Sequence, residues 1–148
     1  MEYKFYGWEW ADVPPANDEY KAIKDPRMLY DILCGIWCAD TCAPRLRDKW
    51  SEDNKTLGQC SITAFLAQDI FGGKVYGILR SGGNYHCYNV IGDCVFDLTS
   101  EQFGDEKLCY EHISLCSKMI CVHFYFSHER RLLISVGLFE SALLPINL

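Results

Sequence analysis

The 148-residue sequence contains no apolar run of the roughly 20 residues needed to cross a bilayer. Its first residues also lack the basic start and apolar stretch of a secretory signal. Its 14 lysines and arginines form no dense cluster, and even the short basic stretch 45–49 is interrupted by Asp48. A chain with a net charge of −6 and no such cluster offers no electrostatic surface for nucleic acid. We therefore expect a cytoplasmic protein that binds neither nucleic acid nor a membrane.

Internal repeats and low-complexity tracts are absent as well, which excludes solenoid and fibrous architectures. The composition, with 49% hydrophobic and 23% charged residues, is ordinary for a globular protein. A chain of 17.0 kDa is also long enough to bury its own core. We predict a single domain over residues 1–148, with an irregular aromatic arm over 1–24 and a core over about 25–105. For the apolar C-terminal segment, 106–148, the sequence pattern does not predict one architecture.

Cysteine, in contrast, is abundant, and its count of nine is odd. Without an export signal, reduced thiols are the expected state. A bond between Cys87 and Cys94 is excluded, because the predicted strands place them about 13 Å apart and a disulfide needs its Cα atoms within about 7 Å. Cys34, Cys38 and Cys42 recur every four residues, which leaves a zinc site as an alternative, although a fourth ligand and the usual closer spacing are missing.

The hydrophobic pattern predicts an α+β fold, with N-terminal helices packed on a small antiparallel sheet. Asp25 followed by Pro26 is a strong helix start, and apolar residues at helical spacing extend that helix over 26–39. A second helix fits 60–70 and is ended by the glycines after Phe71. The predicted strands are 74–80, 85–91, 94–98 and 119–126, and residues 129–143 slightly favour a helix. Residues 99–102 have capping-box spacing, which predicts a short helical turn around Phe103 with Thr99 as its cap, and Trp37 is expected to pack in the core.

The second and third strands form a hairpin, since Gly92 and Asp93 read as a two-residue turn. This register places Tyr88 opposite Asp97 and puts His86 on the same face as Asp97, because side chains alternate along a strand. The two residues are then diagonal neighbours about 7–8 Å apart at the backbone, a gap that their side chains can close. A slip of one residue would have put them on opposite faces. The same alternation puts Asn89 on the face opposite His86, where we expect it to brace the sheet.

Cys60 lies at the predicted start of the second helix, where the helix dipole and free N–H groups favour a thiolate. A neighbouring imidazole can take the thiol proton and return it to a leaving group, while an aspartate orients the ring. Cys60, His86 and Asp97 therefore predict a catalytic triad. The backbone N–H of Cys60 and the side chain of Gln59 are candidate oxyanion donors, and Trp50 is a candidate substrate contact on the preceding loop.

Such a triad predicts a cysteine-dependent hydrolase or acyltransferase. Its substrate would be a peptide, a protein side-chain amide or a small acyl or amide compound, and the chemistry needs no cofactor. Peptide hydrolysis, deamidation and transamidation share the same covalent intermediate and stay open. Taken singly, each of the three residues is more often structural. The alternatives are therefore an inactive binding module of the same fold and, less favoured, a small zinc protein.

Several motifs together resemble the bacterial YunG-like family over about residues 25–105. They are Trp50, Asn54, Gly58-Gln59-Cys60-Ser61-Ile62-Thr63-Ala64, Phe71-Gly72-Gly73, His86-Cys87-Tyr88-Asn89, Asp97-Leu98-Thr99 and Gln102-Phe103. The resemblance implies a compact α+β fold akin to papain-like and transglutaminase-like cysteine enzymes, but no substrate. It nominates the same three catalytic residues, with Gln59, Asn89 and Gln102 as supporting polar groups. The apolar stretch 113–148 departs from the family, which continues there into a polar segment and a charged helix.

Overall fold

The computed structural model describes residues 4–111 and 114–115. This part of the chain contains two α-helices and a small antiparallel sheet, which confirms the α+β class. The helices are α1 (Pro26–Cys34) and α2 (Cys60–Phe71), and the strands are β1 (Lys74–Leu79), β2 (Tyr85–Ile91), β3 (Cys94–Phe96) and β4 (Ser114–Leu115). Short 3-10 helices cover Trp8–Trp10, Asp18–Tyr20, Pro44–Lys49 and Ser100–Phe103.

The sheet has the strand order β3-β2-β1-β4, and each neighbouring pair is antiparallel. Ile91 pairs with Cys94 and Asn89 pairs with Phe96, which confirms the predicted hairpin register. The predicted end of β3 at residue 98 was wrong, since the ladder stops at Phe96. Beyond it the backbone of Asp97 bridges Tyr6, and its N–H donates to the carbonyl of Tyr6 at 2.9 Å.

Helix α1 begins as predicted, with the side chain of Asp25 accepting a hydrogen bond from the N–H of Met28 at 2.9 Å. Its predicted end at residue 39 was wrong, because the helix stops at Cys34. The amides of Ile36 and Trp37 both bond to the carbonyl of Leu33, so the helical ladder cannot advance. No continuous helix therefore carries the three cysteines spaced by four.

Helix α2 ends one residue later than predicted and is closed by Gly72, whose φ of 81° suits glycine. The helix packs against β2 and β1. The side-chain amide of Asn89 on β2 donates to the carbonyl of Ala64 in α2 at 2.8 Å and joins the two layers. As predicted, Asn89 lies on the face of the hairpin opposite His86 and braces the sheet.

The N-terminal arm belongs to the core. Phe5 is fully buried, and the indole N–H of Trp10 donates to the carbonyl of Val95 at 2.8 Å along the edge of the sheet. Trp37 is buried, as predicted, and its indole N–H donates to the hydroxyl of Thr63 at 3.2 Å. The arm and α1 together thus cover one side of the β2–β3 hairpin.

The predicted strand 119–126, the predicted helix 129–143 and most of the apolar C-terminal segment lie outside the described residues. Among the helices that are described, none combines the length and the hydropathy required to cross a bilayer. Seven cysteines fall in the described ranges, and all are thiols, including Cys87 and Cys94, which were predicted not to bond.

Candidate active site

The structure brings His86 and Asp97 together, as the hairpin register predicts. The Nε2 atom of His86 lies 2.5 Å from Oδ2 of Asp97, and both side chains are buried. His86 comes from β2 and Asp97 from the residue directly after β3.

The carboxylate of Asp97 is held by further hydrogen bonds. Its Oδ1 atom accepts from the backbone N–H of Thr99 at 3.0 Å and from the hydroxyl of Thr99 at 3.2 Å. Its Oδ2 atom also accepts from the hydroxyl of Tyr110 at 2.9 Å. The helical turn predicted at 100–103 is confirmed, but the predicted cap by Thr99 was wrong, since Thr99 makes no side-chain cap and its hydroxyl serves Asp97 instead.

Aromatic packing covers the imidazole of His86. The ring of Phe103 meets it edge to face, with centroids 4.7 Å apart. The guanidinium of Arg80 lies over the ring of Phe103 at 4.7 Å and pairs with Glu106 at 2.8 Å. This layer keeps water from the His86–Asp97 pair, which strengthens the electrostatic interaction between them.

Cys60 is the first residue of α2 and is half-buried. The thiol of Cys87 donates a hydrogen bond to its sulfur, and His86 adds a positive charge. These effects outweigh burial and lower the pKa of Cys60 well below its ordinary value. Ser61 lies between the two thiols, with its hydroxyl 3.9 Å from the sulfur of Cys60 and 3.8 Å from that of Cys87.

The imidazole of His86 shifts in the opposite direction. Burial lowers the pKa of His86, but the charge of Asp97 and its hydrogen bond outweigh burial, and with the contribution of Cys60 the pKa rises to about 10. The two opposed shifts both favour a thiolate beside an imidazolium. The Nδ1 atom makes no hydrogen bond within the described residues, so it is the ring nitrogen left to exchange a proton with Cys60.

The contacts of Gln59 and Trp50 are structural. Gln59 is fully buried, and its amide donates to the carbonyl of Cys38 at 3.1 Å, while its Oε1 atom has no partner in the described ranges. The indole N–H of Trp50 donates to the carbonyl of Lys55 at 2.9 Å. Gln59 thus braces the chain before Cys60, and Trp50 braces its own loop.

Gln102 joins the turn after Asp97 to the segment before Cys60. Its amide donates to the carbonyl of Thr99 at 2.8 Å, and its Oε1 atom accepts from the N–H of Gly58 at 3.5 Å. Gln102 thus ties the segments next to Cys60 and Asp97 to each other, and Asn89 ties α2 to β2.

Sequence reasoning missed Tyr110 and the part played by Cys87. Cys87 could have been found, because it follows His86 and alternation turns it toward α2. Tyr110 follows a stretch without periodic pattern and carries no such signal. In the part of the chain with described side chains, no cluster of three or more histidines, cysteines or acidic residues is arranged to hold a metal.

Comparison with known proteins agrees with the motifs. A family model described as YunG protein matches residues 25–126. The chain belongs to the YunG family. A relative from Bacillus subtilis (strain 168), named "Uncharacterized protein YunG", is 43% identical over 65 residues, which cover 44% of this chain and 55% of the relative. The chain thus spans about half the length of this curated YunG relative, and no solved structure matches the chain.

The range matched by the YunG model contains the three triad residues and Tyr110. It begins after the N-terminal arm, although the backbone of Tyr6 in that arm bridges Asp97. The candidate site of this chain is therefore built from the YunG range together with a segment that precedes it.

Proposed function

We propose that this protein is a cysteine-dependent hydrolase or acyltransferase that acts on an amide or related acyl bond. Cys60 is the nucleophile, His86 moves the proton and Asp97 orients His86. The observation that carries the proposal is the 2.5 Å contact between His86 Nε2 and Asp97 Oδ2, because it leaves Nδ1 for Cys60. The opposed pKa shifts of Cys60 and His86 support it.

The reaction begins when the thiolate of Cys60 attacks the carbonyl carbon of the substrate. A C–S bond forms, and the carbonyl π electrons move to the oxygen. The first amides of a helix have no partner within the helix, and α2 has no side-chain cap, so these amides suit the negative oxygen. The imidazolium of His86 then gives its Nδ1 proton to the leaving amine as the C–N bond breaks.

The second half of the reaction releases the acyl group from the sulfur. His86, now neutral, takes a proton from water or from an acceptor amine as that group attacks the thioester carbon. The C–S bond breaks and the thiolate and the imidazolium are restored. Asp97 keeps the ring oriented throughout and stabilises its charged form. Water as acceptor gives hydrolysis or deamidation, and an amine gives transamidation.

The arrangement of elements also supports a core of the papain-like or transglutaminase-like kind. A nucleophile at the start of a helix lies against an antiparallel strand that carries the histidine, and the carboxylate follows directly after the next strand. Seven cysteines that remain thiols suit a reducing compartment such as the cytoplasm. We propose a peptide, a side-chain amide or a small acyl compound as the substrate class.

Competitive alkylation tests the nucleophile. With limiting iodoacetamide near neutral pH, peptide mapping by mass spectrometry should find Cys60 labelled first, ahead of Cys34 and Cys94, whose pKa values burial raises. His86→Ala should slow labelling of Cys60 about tenfold or more and leave Cys34 and Cys94 unchanged.

Acylation tests the chemistry itself. An activated ester such as p-nitrophenyl acetate should add one acetyl group at Cys60, with a burst of nitrophenolate, and Cys60→Ser should remove the burst. Slow and uniform labelling of all thiols, without a burst, would identify an inactive binding module in place of an enzyme.

A further inference from the structure

One oxygen of Asp97 serves two donors. Its Oδ2 atom accepts from Nε2 of His86 at 2.5 Å and from the hydroxyl of Tyr110 at 2.9 Å. The other oxygen is already occupied by the two hydrogen bonds from Thr99. The hydroxyl of Tyr110 therefore draws on the same negative charge that holds the imidazolium of His86.

The ring of Tyr110 is fixed from two sides. It stacks on the ring of Tyr6, with centroids 3.9 Å apart and planes inclined by 19°. The ring of Tyr88 meets it edge to face at 4.9 Å. Because the ring is held, the hydroxyl keeps its place on Asp97, and the contact is a fixed part of the site.

We infer that Tyr110 is a positioning residue of the proposed enzyme, whose hydroxyl shares Oδ2 with His86 and so moderates the hold of Asp97 on the imidazolium. The inference rests on the proposed function. A hydrogen bond to a carboxylate takes up part of its charge, so each donor weakens the attraction left for the other. A less tightly held imidazolium is a better acid, and the reaction needs His86 to release its proton to the leaving amine.

The groups around His86 bear on this inference. Cys60 approaches His86 from α2, and Cys87 and Tyr88 follow His86 on β2. Tyr6 and Tyr110 lie beyond Asp97, and the pair of Arg80 and Glu106 lies behind Phe103. Among these groups, Tyr110 is the neutral donor that competes directly with His86 for Oδ2 of Asp97. Removing its hydroxyl should therefore raise the pKa of His86, a direction that removal of the other groups does not share.

A role in packing alone predicts the opposite sign. If Tyr110 only held the carboxylate in place, removing its hydroxyl would loosen the contact between Asp97 and His86. The pKa of His86 would then fall. If the hydroxyl competes for charge, its removal strengthens that contact, and the pKa rises.

Tyr110→Phe removes the hydroxyl and keeps the ring. We expect an NMR titration to show the pKa of His86 raised by about one unit, with the His86 resonance assigned from His86→Gln. We also expect the acetyl-transfer burst at pH 7 to slow about tenfold, while iodoacetamide still labels Cys60 first. Tyr110→Leu, which lacks the ring as well, should give the same direction of shift if the hydroxyl is responsible.

Tyr85→Phe is the matched control, since Tyr85 lies next to His86 on β2 and its side chain is exposed. It should leave the pKa of His86 and the burst unchanged. A pKa of His86 that stays the same or falls in Tyr110→Phe would overturn the inference, even if the wild type forms an acyl-enzyme. The titration needs no turnover, so a raised pKa without any burst in the wild type would reject the proposed function alone.

Discussion

Cys34 and Cys60 are half-buried thiols that their surroundings shift in opposite directions. Burial raises the pKa of Cys34, and the charge of Glu101 raises it further against a hydrogen bond from Tyr30. A hydrogen bond from Cys87 and the positive charge of His86 lower the pKa of Cys60 in spite of burial. The exposure of a cysteine therefore does not decide its reactivity. The number and charge of the donors around the sulfur do.

The largest expected effect concerns His86 and Asp97, the charged pair that lies beside Cys60 and not beside Cys34. The pKa of His86 is raised from 6.5 to about 10 in the folded protein, so its contribution to stability is complete below about pH 6.5 and disappears as the pH rises through about 10. In a Cys60→Ala background, we expect urea unfolding to show a loss on the order of 3 kcal/mol over this range.

Adding Asp97→Asn to that background should remove most of this pH dependence, since the imidazolium loses its counter-charge. Titrations of exposed tyrosines and lysines are common to both proteins and cancel in the difference. Equal pH dependence of the free energy of unfolding with and without Asp97 would show that the charged pair does not form. That pair would then not explain why the pKa values of Cys60 and Cys34 shift in opposite directions.

A smaller effect should follow from removing the main donor to Cys60. Cys87→Ala takes away the thiol that donates to the sulfur, so the pKa of Cys60 should rise. We expect alkylation of Cys60 at pH 6 to slow about tenfold and the difference to shrink as the pH approaches 9. Cys94→Ala, which removes a thiol on the neighbouring strand, should not change the profile of Cys60. An unchanged profile in Cys87→Ala would assign the shift to His86 alone.

The smallest expected effect concerns Cys34. Glu101 accepts a hydrogen bond from the hydroxyl of Tyr30 at 2.8 Å, and its charge raises the pKa of Cys34. We expect Glu101→Gln to increase the alkylation rate of Cys34 about two- to threefold at pH 8, because burial remains the main cause of the shift. The rate at Cys60 serves as the internal reference. A rate at Cys34 that stays the same would leave burial as the whole explanation.

The parts that the sequence predicted depend on local rules. A glycine-containing two-residue turn fixes the register of the β2–β3 hairpin, and alternation along the strands then puts His86 and Asp97 on one face. The same logic placed Asn89 on the opposite face. The start of α2 at Cys60 was also predicted from local pattern, because apolar spacing begins there.

The parts that were missed depend on competition between contacts. The apolar spacing of α1 continues through Ile36 and Trp37, but the amides of both residues bond to the carbonyl of Leu33, so the helix does not continue through them. The hydroxyl of Thr99 had two possible partners: it could accept from an amide N–H of the next turn or donate to Asp97, and its spacing favours neither. Tyr110 reaches Asp97 through a fold that no local pattern describes.

The bridge between Tyr6 and Asp97 has a consequence for biosynthesis. The N–H of Tyr6 donates to the hydroxyl of Ser100, 94 residues away in the sequence. A ribosome translates the arm and Cys60 well before the residues that complete this contact. We expect nascent chains that stop short of residue 97 to carry a Cys60 thiol of ordinary reactivity, and length-resolved alkylation of stalled chains would show faster labelling arriving only after that point. The activated thiol would then be one of the last features that a growing polypeptide acquires.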